Sequence, residues 1–417
     1  MRYSILFFFV SCCCFISCAQ ENSVLMFPCS EKLESPYGIC AHFTHKKRDV
    51  PTMNEQIKLM QNARIQNVRY DFWVPYTDTL IKHELISCIS QSVRCVNKQN
   101  IEPLCILFGG WRNQRAWQRK PQYFLFLEHL ISNYAKKVKY WEIMNEVNLT
   151  AKEDSVPLDS TVKWYTDMLS LSYLHLKKAN PNCMVTSSGL ADVNDDFLEL
   201  MCKRKSYDYF DVLNIHTYDA PEKIPEKLRK IRNLMDKYKW SKPVWITECG
   251  MPTNYDKNVK PWSLPNEQRE TEQAYRIPRM YIISFAYGVD KVFTYKLRAE
   301  EKDRFYTEDH FGIVHADLTP KPAYIAYQTL TKMLPSGSSR PTLTKDGNTY
   351  FSYWKRPDKK KIWAIWCSSE KKRVKIEVTG KADFYDYLGN KIYVSENLEI
   401  GKGVTFVVGA KSVKIVS

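Results

Sequence analysis

From residue 36 to residue 330 the chain alternates short apolar runs with amphipathic stretches. Eight runs stand out: Tyr37–Phe43, Ile65–Phe72, Glu102–Phe108, Lys139–Glu146, Met184–Leu190, Asp211–Thr217, Pro243–Cys249 and Val289–Tyr295. Runs of this length and composition predict buried strands. Between them, apolar residues recur at helical spacing over Met53–Arg64, Leu158–Ala179, Pro225–Tyr238 and Glu267–Tyr287. Thr52, followed three residues later by Glu55, forms a capping-box pair that is expected to open the first of these helices. Eight strands alternating with helices satisfy a (β/α)8 TIM barrel, although a doubly wound sheet gives a similar alternation.

Beyond Leu334 the rhythm changes. Pro335-Ser336-Gly337-Ser338-Ser339 reads as a linker, and short strands separated by polar turns follow. They are Tyr350–Trp354, Ile362–Cys367, Val374–Val378, Ala382–Tyr387, Lys391–Val394 and Val404–Val408, with tight turns at Asp346-Gly347 and Gly389-Asn390. A stretch this short without a helical pattern predicts a small antiparallel β-sandwich.

The N-terminus has a different character. Arg2, the apolar core Ile5–Val10 and the small residues near Ser17 make up a secretory signal. Phe15-Ile16-Ser17-Cys18 resembles a bacterial lipobox, which implies cleavage before Cys18 and lipid on its thiol. The implied protein is an exported outer-membrane lipoprotein held to the membrane by that anchor. The expected segments are then a signal peptide at 1–18, a barrel at 19–334 and a sandwich at 335–417. Four of the 13 cysteines lie in the signal. The odd remainder of nine cannot all pair, and their spacing shows no zinc pattern. Most are expected to serve as small buried apolar residues, with one or two disulfides open to an exported chain.

Composition narrows the class. A 44% hydrophobic content excludes a disordered chain, and 14 glycines in 417 residues exclude a glycine-rich repeat. No apolar run long enough to span a membrane occurs after the signal. The formal charge is +15, but the surplus is uneven: from Pro335 onward, 16 Lys and Arg face 8 Asp and Glu. That concentrates the excess on the sandwich, in runs such as Lys359-Lys360-Lys361, and no nucleic-acid motif accompanies it.

In a barrel, chemistry gathers where strands end and loops begin. The fourth run ends Trp141-Glu142-Ile143-Met144-Asn145-Glu146 and the seventh Ile246-Thr247-Glu248-Cys249-Gly250. Each puts a carboxylate at the mouth, and two facing carboxylates suit glycosidic cleavage. Trp-Glu-x-x-Asn-Glu and Thr-Glu-x-Gly on these strands resemble clan A of the retaining (β/α)8 glycoside hydrolases, families 39 and 5 among them. The resemblance covers residues 36–334, and the trailing sandwich is similar to an accessory domain of the same families.

That resemblance implies Glu146 as acid/base, Glu248 as nucleophile and Asn145 on the sugar's 2-hydroxyl. Arg69 is implied beside the nucleophile, and His216-Thr217-Tyr218 matches a His-x-Tyr near it. His42 is expected in the floor, and Trp111 and Trp262 on loops as sugar platforms. Many clan members close the eighth strand with Trp. Here Tyr295 is expected to take that stacking role. Arg112, Arg115, Lys296 and Arg298 on mouth loops would suit an anionic sugar. The chemistry requires a carbohydrate partner, no cofactor and no metal. The alternative class is a non-catalytic glycan-binding lipoprotein on the same scaffold.

Overall fold

The computed structural model describes residues 21–43, 50–73, 83–108, 120–149, 156–193, 195–255 and 266–416. A two-residue strand, β1 (Glu21–Asn22), precedes the barrel strands. These are β2 (Tyr37–Cys40), β3 (Asn67–Trp73), β4 (Glu102–Phe108), β5 (Tyr140–Ile143), β6 (Met184–Thr186), β7 (Leu190–Ala191), β8 (Leu213–Thr217), β9 (Val244–Cys249) and β10 (Lys291–Thr294). All pair in parallel, in the order β6-β5-β4-β3-β2-β10-β9-β8-β7. β6 and β7 are two pieces of one interrupted strand, the first paired to β5 and the second to β8, so the sheet closes on itself as a (β/α)8 TIM barrel. Each of the eight apolar runs supplies one barrel strand.

The surrounding helices are α1 (Val50–Asn62), α2 (His83–Lys98), α3 (Lys120–Tyr134), α4 (Leu158–Ala179), α5 (Asp195–Lys203), α6 (Ile224–Tyr238), α7 (Asn266–Ala286) and α8 (Pro322–Met333). The Thr52 cap expectation is corrected: α1 begins at Val50, so Thr52 sits inside the first turn and not at its edge.

Side chains alternate along the strands as a pleated wall requires. Leu104, Tyr140, Trp245 and Phe293 belong to a cluster filling the barrel, whereas Cys105, Trp141, Ile246 and Val292 belong to the core shared with the helices. The Tyr140 and Trp245 rings meet edge to face at 5.1 Å. Lys291 lies over both rings and donates to the Ser35 carbonyl at 2.6 Å, closing the barrel floor.

The C-terminal part forms two antiparallel sheets. Its strands are β11 (Thr342–Asp346), β12 (Thr349–Lys355), β13 (Lys361–Cys367), β14 (Lys372–Thr379), β15 (Asp383–Tyr385), β16 (Lys391–Ile392), β17 (Asn397–Ile400), β18 (Thr405–Val408) and β19 (Ser412–Val416). One sheet runs β1-β11-β12-β13-β18-β15-β16 and the other β17-β14-β19. Strand β13 shows why they stack. Trp363, Ile365 and Cys367 face Ile376, Leu398 and Val413 of the small sheet, while Ile362, Ala364 and Trp366 join the barrel's core. The indole of Trp354 donates to the Met333 carbonyl at 2.9 Å, seating the large sheet on α8. Strands β11, β17 and β19 fall outside the six sequence-predicted ones. So does β1, which crosses from the N-terminal segment to pair with Thr344 and Lys345.

The nine described cysteines are all free thiols, six of them buried. Among the described residues no helix is long and apolar enough to cross a membrane. Cys18, the lipobox position, lies outside the described residues.

Candidate active site

Two local distortions aim the carboxylates. On β9 the register against both neighbours shifts: Ile215 faces Ile246, but His216 faces Glu248, and Val292 faces Ile246, but Thr294 faces Cys249. β9 therefore carries one extra residue at Thr247-Glu248, a β-bulge. Strict alternation from the inward Trp245 would turn Glu248 outward. The bulge lets Thr247 bond inward to Asn214 Oδ1 at 2.5 Å while Glu248 also enters the cavity. After β5, Met144 and Glu146 adopt left-handed backbone, with φ of 65° and 47°. That conformation costs about 1–2 kcal/mol per residue without glycine, and it swings Asn145 and Glu146 onto the rim.

The mouth is a cavity of about 840 Å³. One ligand atom each of Glu146, His216 and Glu248 lies within 4.8 Å of the other two. His216 Nδ1 is 2.8 Å from Glu146 Oε1 and 3.6 Å from Glu248 Oε2. Arg69, fully sunk at 3% exposure, donates to Glu142 at 2.7 and 2.8 Å, to Asn145 Oδ1 at 2.7 Å and to Glu248 Oε1. The Tyr218 hydroxyl donates to the other oxygen of Glu248. Burial alone would raise the pKa of Glu248. His216, the Arg69 guanidinium and the two hydrogen bonds outweigh it and hold the carboxyl below its ordinary value. Glu146 is more open, with its side chain 25% exposed to the cavity.

The opposite wall is aromatic. Tyr295, Tyr218 and Phe311 meet in edge-on and tilted contacts at 5.3 to 6.2 Å. The Tyr295 hydroxyl lies 3.0 Å from Glu308 Oε2 and 3.4 Å from His42 Nε2, and His42 Nδ1 lies 3.9 Å from Asp71. Burial, with Glu248 and Glu308 nearby, pushes the Tyr295 phenol well up, so it keeps its proton and donates a hydrogen bond to Glu308. Glu308 is itself raised, chiefly by burial, with Glu248 and Glu146 adding to it against the bond from Tyr295.

The structure thus gathers Glu146, Glu248, Asn145, Arg69, His216, Tyr218, His42 and Tyr295 around one cleft. Trp111 and Trp262 lie outside the described residues, as do Arg112 and Arg115. Lys296 is buried beside Glu300 at 3.8 Å, and Arg298 donates to the Ala316 carbonyl at 2.7 Å. Three participants were missed in the sequence. Glu142 is a wholly buried carboxylate within Tyr140–Ile143, and a charge inside an apolar strand is itself a signal of a partner. Glu308 sits in a single 3-10 turn, Thr307–His310, with no pattern to mark it. Gly189 donates its N–H to Glu142 at 3.1 Å and accepts from the Glu146 N–H at 3.0 Å. A Cβ on Gly189 would fall on the His216 ring.

Glu146, His216 and Glu248 are also the one group among the described residues with spacing suited to a metal ion. Arg69 and Tyr218 already occupy both oxygens of Glu248, and a second cation there would meet the guanidinium charge.

The fold and cleft define a (β/α)8 barrel with a paired-glutamate site and an accessory β-sandwich. A family model described as glycosyl hydrolase catalytic core matches residues 115–277, a stretch holding both glutamates. The chain is similar in structure to a family 39 glycoside hydrolase from the gut symbiont Bacteroides cellulosilyticus WH2, with a TM-score of 0.71 at 20% identity over 91% of this chain and 81% of that one. It is also similar to a family 39 β-xylosidase from Caulobacter crescentus, with a TM-score of 0.62 at 14% identity over 93% and 99%. A family 30 subfamily 8 xylanase from Clostridium acetobutylicum gives 0.59 at 10% identity over 92% and 98%. No curated protein matches the sequence.

Proposed function

We propose that the protein is a retaining glycoside hydrolase acting on β-linked sugars. One observation carries the reading: Glu146 and Glu248 converge with His216 to within 4.8 Å, one held ionised and the other open to the cavity. Carboxyls about 5–5.5 Å apart leave no room for a water between acid and base, which is the spacing for double displacement. Glu248 attacks the anomeric carbon while Glu146 gives its proton to the departing oxygen. Glu146 then takes a proton from the water that releases the glycosyl-enzyme. Arg69 and Tyr218 fix Glu248 in line, and Tyr295 and Phe311 supply the apolar face for the sugar ring.

Six carboxylates line the described cleft, Asp71, Glu146, Glu248, Glu300, Glu308 and Asp309, against Arg69, Lys296 and Lys302. That balance favours a neutral sugar over a uronate or sulfate. A pure glycan binder has no use for a carboxylate held ionised beside a second one. The test is a panel of aryl β-glycosides with wild type and Glu248→Gly, with and without azide. Loss of turnover and formation of an α-glycosyl azide are expected. A β-glycosyl azide, or undiminished turnover in the variant, would sink the role assignment.

Export and lipidation at Cys18 belong to the same proposal and are supported by the Phe15-Ile16-Ser17-Cys18 pattern. The mass of the mature N-terminal peptide reads this directly; a free Cys18 thiol, or an uncut signal, removes it.

A further inference from the structure

Residues 23–26 run along the barrel's lower edge, and they are tied at both ends. Ser23 N–H donates to the Leu343 carbonyl at 2.7 Å, and Met26 N–H donates to the Tyr287 carbonyl at 3.1 Å. Between these ties Val24 and Leu25 stand out at 68% and 49% exposure. Two adjacent aliphatic side chains presented to solvent by a fastened backbone are not a frayed tail. They form one wall of a cleft of about 560 Å³, whose other wall is α6, with Arg229, Arg232 and Asn233. Arg232 Nη1 reaches the Met26 carbonyl at 3.2 Å, holding strap and helix together, while its Nε and Nη2 pair with Asp236, so that Arg229 is the cation left facing the cleft. Glu21 is the only carboxylate among the described lining residues.

The position matters as much as the chemistry. Tyr287 precedes β10, so the strap lies at the strands' N-terminal end, opposite the end that carries Glu146 and Glu248. Val24 follows the lipobox cysteine by only six residues. An extended chain covers at most ~3.3–3.6 Å per residue, so lipid on Cys18 would keep this face within about 20 Å of the bilayer.

We propose that this cleft is a docking surface for an anionic phospholipid bilayer, resting on the reading of Cys18 as a lipid anchor. Val24 and Leu25 enter the headgroup region, and the Arg229 guanidinium meets a lipid phosphate. One lipid chain gives marginal anchoring, and a second, basic contact makes it stable. The docked barrel stands on its base with the catalytic mouth turned away from the membrane.

The test uses the mature chain from Cys18, produced without its signal and hence unacylated, sedimented with vesicles at about 0.1 M salt. Vesicles of phosphatidylethanolamine with phosphatidylglycerol are compared with vesicles of phosphatidylcholine. Partition onto the anionic vesicles is expected, and V24D/L25D or R229E should each lower it by at least about fivefold. Unfolding midpoints close to wild type show that these surface variants are folded. Wild type that stays in the supernatant, binds phosphatidylcholine equally well, or is matched by both variants overturns the proposal. Acylation of Cys18 is read separately by mass, so failure of the anchor and failure of the docking surface are distinct results.

Discussion

Arg69 grips Glu142 with two nitrogens, Nε at 2.7 Å and Nη2 at 2.8 Å, and turns its third toward Glu248. The guanidinium is thereby held by one carboxylate in order to serve another. A forked cation is suited to this because its donors are coplanar and its charge does not titrate.

Replacing Arg69 separates these roles. R69M leaves Glu142 buried without its counter-ion, and the fold should lose about 3–5 kcal/mol. R69K keeps the charge and loses the fork, so it should fold while kcat falls about a hundredfold. In R69M the acid limb of kcat/KM should move to higher pH, since a charge that lowers Glu248 has gone. An unmoved limb in a folded R69M would show that Arg69 does not set the ionisation of Glu248.

Stability at low pH tests the same carboxylate without substrate. Glu248 binds its proton less readily in the folded state than in the unfolded one. Its contribution is complete above the ordinary value near 4.5 and is lost as pH falls through the lowered folded value. Wild type should therefore lose stability on acidification faster than E248Q, measured by urea unfolding between neutral pH and about pH 3. Parallel curves would argue against the shift.

Gly189 is required for space, not for backbone freedom. In G189A the new methyl falls on the His216 imidazole, which must leave Glu146. Overpacking of this kind costs about 1–3 kcal/mol. The expected result is a lower melting midpoint together with a drop in kcat, and G189A with wild-type kcat would show that His216 can shift without consequence.

Lys291, at the other end of the barrel, is pushed down to about 8 by burial. The folded state then sheds this proton before the unfolded state does, so the group makes the protein more stable as pH rises from about 8 toward 10.5. Relative to K291M, wild type should gain up to about 3 kcal/mol across that window. A constant difference in unfolding free energy would mean that Lys291 keeps its proton in the folded state across that window.

The barrel was legible because buried strands write themselves as apolar runs, and the mouth because Glu146 and Glu248 close two of them in a known pattern. Other features depend on what two distant strands do together. Nothing in Val-Trp-Ile-Thr-Glu-Cys shows that β9 is one residue longer than both neighbours between shared registers, yet that bulge turns Glu248 inward. Glu142 was legible in principle, as a charge inside a buried strand, but its partner Arg69 lies 73 residues away. The capping pair at Thr52 failed for a local reason: the helix starts earlier, at Val50. Strands β11, β17 and β19 were missed because each has a polar outer face, and alternating Lys, Glu and Thr resemble a turn.

The pairing of β1 with β11 decides where mechanical load would travel. A pull on the N-terminal end reaches Glu21-Asn22 first, and from there it passes into the edge of the large sheet. With lipid on Cys18 as proposed, this two-residue ladder is the first contact such a pull has to break before it reaches the strap at Met26 and Tyr287.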